Sequence, residues 1–394
     1  MSNSYLGYSK TDLTELNGFN TAREIKTQIE LWSQTFNLLK KEKSNILRFL
    51  KPFFSSNNSL ILLTGAGTSA FIGDVLEPIF QKDTENITKS IPTTTLVTHP
   101  EFYFQSNKLT LLISFARSGD SPESIKAIEL ADQVCKDVYH LIITCNDHGQ
   151  LAESGYGNDN RFVIVLPEGS NDKSLAMTGS FTSMLLAGIL VSKMEFIDNL
   201  YGQITTLTRY GSKILNKCLK MLQSISEKDF NRAVFLGSGM FEGIARESQL
   251  KLQELTNGEV ICKFDTFLGF RHGPKAVIKD KTIVIYLLSN DPYVRQYEKD
   301  LISSIHSDSY ALYTLSIMEK DDNEINSDEK IVLSDSESKI DQDFLTVVSI
   351  LPAQILGFYK SLNLGLEPDL PSVNGAISRV VKGVKVYSFE SQFE

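Results

Sequence analysis

Cysteine is scarce in this chain: only Cys135, Cys145, Cys218 and Cys262 occur, and they form no CxxC or other metal-ligand spacing. That excludes a disulfide scaffold or a cysteine-built metal site and fits a reducing cytoplasm. Positive charge is also short, 39 basic residues against 48 acidic, for a net charge of −9. With no Lys/Arg-rich run, this balance argues against a nucleic-acid surface. The N-terminal MSNSYLGYSK is polar and lacks a signal-peptide core. The longest apolar run, Met184–Val191, is too short to span a bilayer and reads as part of a buried helix. Histidine occurs five times, at 99, 140, 148, 272 and 306. His272 stands in FLGFRHGPKAV, where Gly273-Pro274 enforces a turn, so its ring is presented from a loop. Alone it reads as a surface histidine without a role.

What is present is a repeated α/β pattern. Residues 1–55 are amphipathic, with Ile25, Ile29, Trp32, Phe36 and Leu39 at helical spacing, and read as a packing arm. SLILLTGAG then begins a series of wholly apolar runs, continued by LTLLISFARSGDS, VYHLIITCN and FVIVLPEG. Helical segments alternate with these runs, which implies parallel strands covered on both faces. The second half repeats the order with RAVFLGSGM, KTIVIYLLSND, SYALYTLS and KIVLS. Gly65 and Gly67 match Gly237 and Gly239 at an offset of 172, and Ser118-Gly119-Asp120 matches Ser289-Asn290-Asp291 at 171. Two landmarks at nearly one offset imply an internal duplication. The expected fold class is α/β, with two tandem doubly wound parallel-sheet domains. The expected bounds are a helical segment over 1–50, a phosphate-binding domain over 51–210, a second domain over 211–372 and a tail over 373–394. The acidic stretch Met318–Lys330 is expected to be a solvated loop.

GAGTS and ARSGDS fall beyond strand ends, where parallel sheets bind ligands. Each precedes a helix, whose free N–H groups and positive dipole end suit an anion. Gly65 and Gly67 allow close approach; Thr68, Ser69, Ser118 and Ser121 add hydroxyls, and Arg117 adds charge. Hydroxyls with few cations suit a monophosphate that must later leave. Ordinary helix capping is the plain alternative for any one loop. The stretch from Gly65 to Ala70 also satisfies the dinucleotide pattern. That pattern wants an acidic residue ending the next strand, and the strand-like TTTLVTHPEF offers Thr98 and His99 there, so a dinucleotide is not favoured.

In the second copy Thr68 and Ser69 become Met240 and Phe241, and Gly119 becomes Asn290. One phosphate site per chain is therefore expected, in the first domain. The helix from about Glu242 to Leu255 instead carries Glu247 and Glu254 two turns apart on one face. Glu247 reads as a surface salt bridge with Lys251. Glu254 lies at the helix C-terminal end, where an anion is disfavoured and a proton-shuttling base is plausible chemistry.

GAGTS, ARSGDS, SLAMTGSFTSM, KLQELTNGE and RHGP together resemble the sugar isomerase (SIS) domain family. The duplicated arrangement is similar to the isomerase half of glucosamine-6-phosphate synthase. It most resembles the tagatose-6-phosphate ketose/aldose isomerases, also described as galactosamine-6-phosphate deaminases (AgaS). The resemblance runs from about residue 20 to the end and implies a flavodoxin-like fold for both domains. It implies phosphate or substrate contacts from Gly67, Thr68, Ser69, Arg117, Ser118, Gly119, Ser121, Ser174 and Ala176. Ala116 and Arg117 stand where the synthase has serine and glutamine, so the cradle differs in detail. It further implies that Glu254 moves a proton between C1 and C2, that His272 helps open the sugar ring, and that Lys382, with Lys385 as its near rival, contacts the sugar. In the family the histidine can come from the neighbouring subunit, which implies a homodimer or higher homo-oligomer with sites at the subunit interface. No N-terminal cysteine and no glutaminase domain precede the first sheet, so amination with glutamine-derived ammonia is not expected. The expected reaction is galactosamine 6-phosphate to tagatose 6-phosphate plus ammonia, with no metal or organic cofactor. An isomerase releasing no ammonia and a sugar-phosphate sensor are the rival expectations. The partner is a small sugar phosphate, with no nucleic acid and no membrane.

Overall fold

The computed structural model describes residues 4–55, 59–308, 310–334, 339–372, 375, 377–379, 381 and 383–390. The chain divides into two compact units. One comprises Leu31–Asp172, Gly179–Tyr201 and Ile377–Glu394, and is called here the first unit. The other, the second unit, comprises Met1–Glu30, Lys173–Thr178 and Gly202–Ala376. The units thus interleave stretches of sequence that the consecutive bounds above treat as separate. Helix α1, Phe19–Lys41, has its residues to Glu30 in the second unit and those from Leu31 in the first. Its residues Ile25, Trp32, Phe36 and Leu39 are buried, as their spacing predicts.

The first unit holds five parallel strands: β1 (Leu60–Thr64), β2 (Ile87–Ser90), β3 (Thr110–Ala116), β4 (Val138–Thr144) and β5 (Arg161–Val165). Their order is β2-β1-β3-β4-β5. Every residue of β1 and β3 is buried, which is what strands covered on both faces require. Helix α2 (Thr68–Thr84) follows β1, α3 (Pro122–Val134) follows β3, and α4 is Gly179–Ser192. On one face α3 packs through Ala127, Ile128 and Ala131 onto Leu60, Leu62 and Leu112. Helix α4 packs against α2, and all of its residues are buried, so the apolar run inside it belongs to a core helix. The stretch TTTLVTHPEF is not a strand. It forms short helices Thr93–Thr98 and Pro100–Tyr103, because Pro92 and Pro100 each fix a helical start. The actual next strand, β2, ends at Ser90 without an acidic residue.

The second unit repeats the plan with β6 (Arg232–Gly237), β7 (Ile261–Asp265), β8 (Thr282–Leu287), β9 (Tyr313–Met318) and β10 (Glu329–Val332). All pairs are parallel, in the order β10-β9-β8-β6-β7, so both sheets follow one winding scheme. Helix α5 (Met240–Leu255) follows β6, α6 (Pro292–Asp308) follows β8, and α7 (Gln342–Ser349) and α8 (Leu351–Asn363) close the unit. The stretch 342–363 is apolar and long enough to cross a bilayer, yet it is almost wholly buried inside the fold. Within the acidic stretch expected to be solvated, Glu319 is buried. It accepts from Tyr210 Oη at 2.8 Å, Asn290 Nδ2 at 2.6 Å and the Ile340 N–H at 2.6 Å.

Candidate active site

The order β2-β1-β3 reverses winding direction between β1 and β3, so the loops leaving these two strands flank a crevice at the sheet's C-terminal edge. The first loop, Gly65–Ser69, opens α2. Gly67 is its N-cap at φ 56°, ψ −129°, a backbone state suited to glycine. A Cβ on Gly65 would lie 2.6 Å from the Ser69 backbone, so loop and helix touch there. Thr68 and Ser69 therefore stand inside the helix and are not its cap; both are buried. The second loop, Arg117–Ser121, opens α3. Ser121 is the N-cap, but its side chain makes no capping bond. Ser118 Oγ accepts from the Asp120 N–H at 3.3 Å, and Gly119 sits at φ 74°. The N–H groups of Ser118 and Gly119 have no acceptor among the described residues. Arg117 is buried and donates to the Arg379 carbonyl at 2.5 Å; Arg379 in turn bonds the Asp172 carbonyl and Asn171 Oδ1. Two neighbouring strands of one unit thus each lead into a helix N-terminus, through loops that carry Thr68, Ser69, Ser118 and Ser121, and no side chain caps either helix.

The matching loops of the second sheet share the backbone but differ in the partners of their amides. Gly239 sits at φ 59°, ψ −127°, nearly the values of Gly67. A Cβ on Gly237 would meet the Phe241 carbonyl oxygen at 2.3 Å, as Gly65 would meet Ser69. The amides of the next loop are already committed. The Ser289 N–H donates to both Glu298 oxygens at 3.2 Å, the Asn290 N–H to Gln342 Oε1 at 3.0 Å, and the Asp291 N–H to Ser289 Oγ at 3.0 Å. Glu298 is fully buried, and desolvation pushes its carboxyl up to about 7 despite Arg295 at 3.3 Å. A loop whose amides are taken up by Glu298, Gln342 and Ser289 itself is closed to a phosphate.

Glu254 lies in the last turn of α5, where Lys251 Nζ donates to it at 2.7 Å. The same ammonium is 3.3 Å from Glu247. Sequence spacing correctly pairs Glu247 with Lys251 but misjudges its exposure: Glu247 and Lys251 are fully buried, because α5 is enclosed between the sheet and α7–α8. Burial pulls the Lys251 ammonium down, and the two carboxylates more than reverse that, so its pKa is raised. Lys251 also offsets the adverse helix-end field that a carboxylate meets there. Glu254 keeps part of its side chain exposed and is the solvent-facing end of this triad.

His272 follows the short helix Phe267–Phe270, capped by Thr266 Oγ1 accepting from the Gly269 N–H at 2.9 Å. It is exposed, and Gly273 after it takes φ 114°. No described residue bonds its ring. Phe267 and Phe270 pack with Val234, Leu236, Val284 and the α6 residues Leu301, Ile302 and Ile305. Helix α5 packs with α7 and α8 instead. Right-handed crossovers require this division, since β6 to β7 and β7 to β8 run in opposite directions along the sheet. Helix α5, which carries Glu254, and the helix that precedes His272 therefore lie on opposite faces of the second sheet.

Ser174 and Ala176 belong to the second unit. The Ser174 hydroxyl donates to Glu24 Oε2 at 2.5 Å, and Glu24 also accepts the Lys173 and Ser174 N–H groups. Ser174 thus shapes its loop through Glu24 and has no spare proton for a phosphate. Lys382 lies outside the described residues; Lys385 is within them. Sequence reading missed the buried roles of Lys251 and Glu24. The sequence signal for Lys251 is its place between two glutamates on one helix face; Glu24 has none, lying 150 residues from its partner. Among the described residues no cluster of His, Cys, Asp or Glu is arranged to hold a metal ion.

Comparison with known proteins gives this site a context. The family model described as SIS domain matches residues 54–192. The chain is 40% identical to D-galactosamine-6-phosphate deaminase AgaS of Shewanella sp. (strain ANA-3), over 98% of this chain and 96% of the relative. It is 36% identical to the protein of the same description from Escherichia coli O157:H7, over 94% and 96%. Among solved structures it resembles tagatose-6-phosphate ketose/aldose isomerase from Escherichia coli, with a TM-score of 0.85 and 35% identity over 95% of this chain and 98% of that one. The C-terminal domain of glucosamine-fructose-6-phosphate aminotransferase from Francisella tularensis shares the fold, with a TM-score of 0.70 at 17% identity over 88% and 96%.

Proposed function

The chain belongs to the SIS-domain family, and from that premise we propose that it is a deaminating isomerase of amino-sugar phosphates, converting galactosamine 6-phosphate to tagatose 6-phosphate and ammonia. The observation that carries the phosphate assignment is the contrast between the two sheets: among the described residues the Ser118 and Gly119 amides meet no acceptor, whereas those of Ser289 and Asn290 do. Thr68, Ser69, Ser118, Ser121 and Arg117 then hold the 6-phosphate. His272 assists ring opening. Glu254 takes the C2 proton of the open aldehyde, leaving an enolamine, and returns a proton at C1 to give a C2 imine. Water adds to that imine and ammonia leaves, so the atoms balance without an oxidant. Lys382 and Lys385 are the candidates for the remaining sugar contact.

The placement of α5 and of the helix preceding His272 on opposite faces of the second sheet favours a homodimer in which each site takes its histidine from the neighbouring subunit. Four free thiols suit a cytoplasmic enzyme. The deciding assay incubates the full chain with galactosamine 6-phosphate and follows ammonia and ketose together. Equal release of both is expected. Ketose formed only from aldose phosphates, without ammonia, would make it a simple isomerase; tight binding without turnover would make it a sensor.

A further inference from the structure

The loop after β4 grips the second anion loop from its carbonyl side. Asn146 Nδ2 donates to the Ser118 carbonyl at 2.8 Å, and the Leu151 N–H donates to the Gly119 carbonyl at 3.0 Å. The Gln150 N–H donates to Asp120 Oδ1 at 3.1 Å. Gly149 lies so close that a Cβ on it would fall 2.3 Å from the Ser118 carbonyl oxygen. Asn146 is itself anchored: its N–H donates to Thr144 Oγ1 at 3.2 Å, and its Oδ1 accepts from the His148 N–H at 3.3 Å. A trans peptide points its carbonyl and the following N–H in opposite directions. Holding the Ser118 carbonyl therefore turns the Gly119 N–H away from the grip. In the second sheet Arg295 Nε holds the matching Ser289 carbonyl at 3.0 Å, and the following Asn290 N–H, on the opposite side of that peptide, is taken by Gln342 Oε1 at 3.0 Å.

We propose that Asn146 is a positioning residue of the phosphate site, which fixes the Ser118 carbonyl and thereby aims the Gly119 N–H into the β1/β3 crevice. This rests on the reading of Arg117–Ser121 as a phosphate loop. The test uses the full chain, steady-state kinetics with galactosamine 6-phosphate, and inorganic phosphate as a competing probe. Asn146→Asp keeps the shape and removes the donor; Asn146→Ala removes it without adding charge; Gly149→Ala displaces the same carbonyl. Each is expected to raise KM and the phosphate inhibition constant together by about tenfold, with kcat within about twofold, because phosphate is bound alike in ground and transition states. Ser121→Ala calibrates the site. If Ser121→Ala raises both constants and the two Asn146 variants change neither, the positioning role is wrong and the phosphate site stands. If phosphate does not compete and Ser121→Ala is silent, the phosphate reading fails and takes the proposal with it. A fall in melting temperature and kcat at unchanged KM in the Asn146 variants would mean a purely structural role and would overturn the proposal too.

Discussion

Lys251 holds a buried carboxylate on one side and the proposed base on the other, so its removal should be felt first in stability. Lys251→Met leaves Glu247 buried without its cation, and a loss of about 3–5 kcal/mol is expected by urea unfolding. Adding Glu247→Leu should recover most of it, since an apolar pair of similar volume replaces the ion pair. No recovery would show that the ion pair is not the source of the loss. Glu298 supports a separate prediction. Its carboxyl titrates near 7 in the fold because burial disfavours the charge. A carboxyl raised in this way stabilises the fold fully below its ordinary value, near 4.5, and loses that contribution as the pH climbs to about 7. Between pH 5 and 8 the wild type should lose about 2–3 kcal/mol through this group. Glu298→Gln should flatten that segment of the stability curve; an unchanged slope would rule the titration out. These pairings show how far residue roles can be read from spacing. The i, i+4 pattern of Glu247 and Lys251 is the same on a surface and in a core, so sequence reveals the pair but not its burial. Glu319 likewise sits in an acidic stretch, and only the arrival of Tyr210 and Asn290 from elsewhere distinguishes it from its solvated neighbours.

At the scale of elements, the strand–loop–helix units were largely legible. β1, β3 and β4 are continuous apolar runs, and a run covered on both faces needs no alternation to identify it. β2 was not legible, because at the sheet edge its four residues ITKS carry little apolar pattern, whereas the threonine-rich stretch after it mimics a strand. The two Gly-x-Gly loops allow a paired prediction. Gly65→Ala and Gly237→Ala each drive a Cβ into backbone four residues on, and each should cost about 1–3 kcal/mol. Only Gly65→Ala should also weaken inhibition by inorganic phosphate, by about tenfold, equivalent to about 1.4 kcal/mol. Equal weakening by Gly237→Ala would mean that the second sheet also binds the anion.

For the whole molecule, the proposed homodimer, in which each site takes its base and its histidine from different subunits, predicts complementation. Glu254→Gln and His272→Asn homodimers should each be inactive. Mixed and re-equilibrated, half of the dimers combine both variants, and each of those has one intact site. About a quarter of wild-type turnover should then return, as two-fold symmetry dictates. No recovery after verified subunit exchange would place both residues in one subunit's site. The interleaving of the two units has a consequence for biosynthesis. Strands β1–β5 and α4 leave the ribosome long before residues 377–390, whose Arg379 and Phe389 complete the same unit. At ordinary elongation rates that wait is roughly 10–40 s. During it the sheet of the first unit lacks the cover that Arg379 and Phe389 bring, which makes it a natural client for holding chaperones and ties its maturation to the later synthesis of those residues.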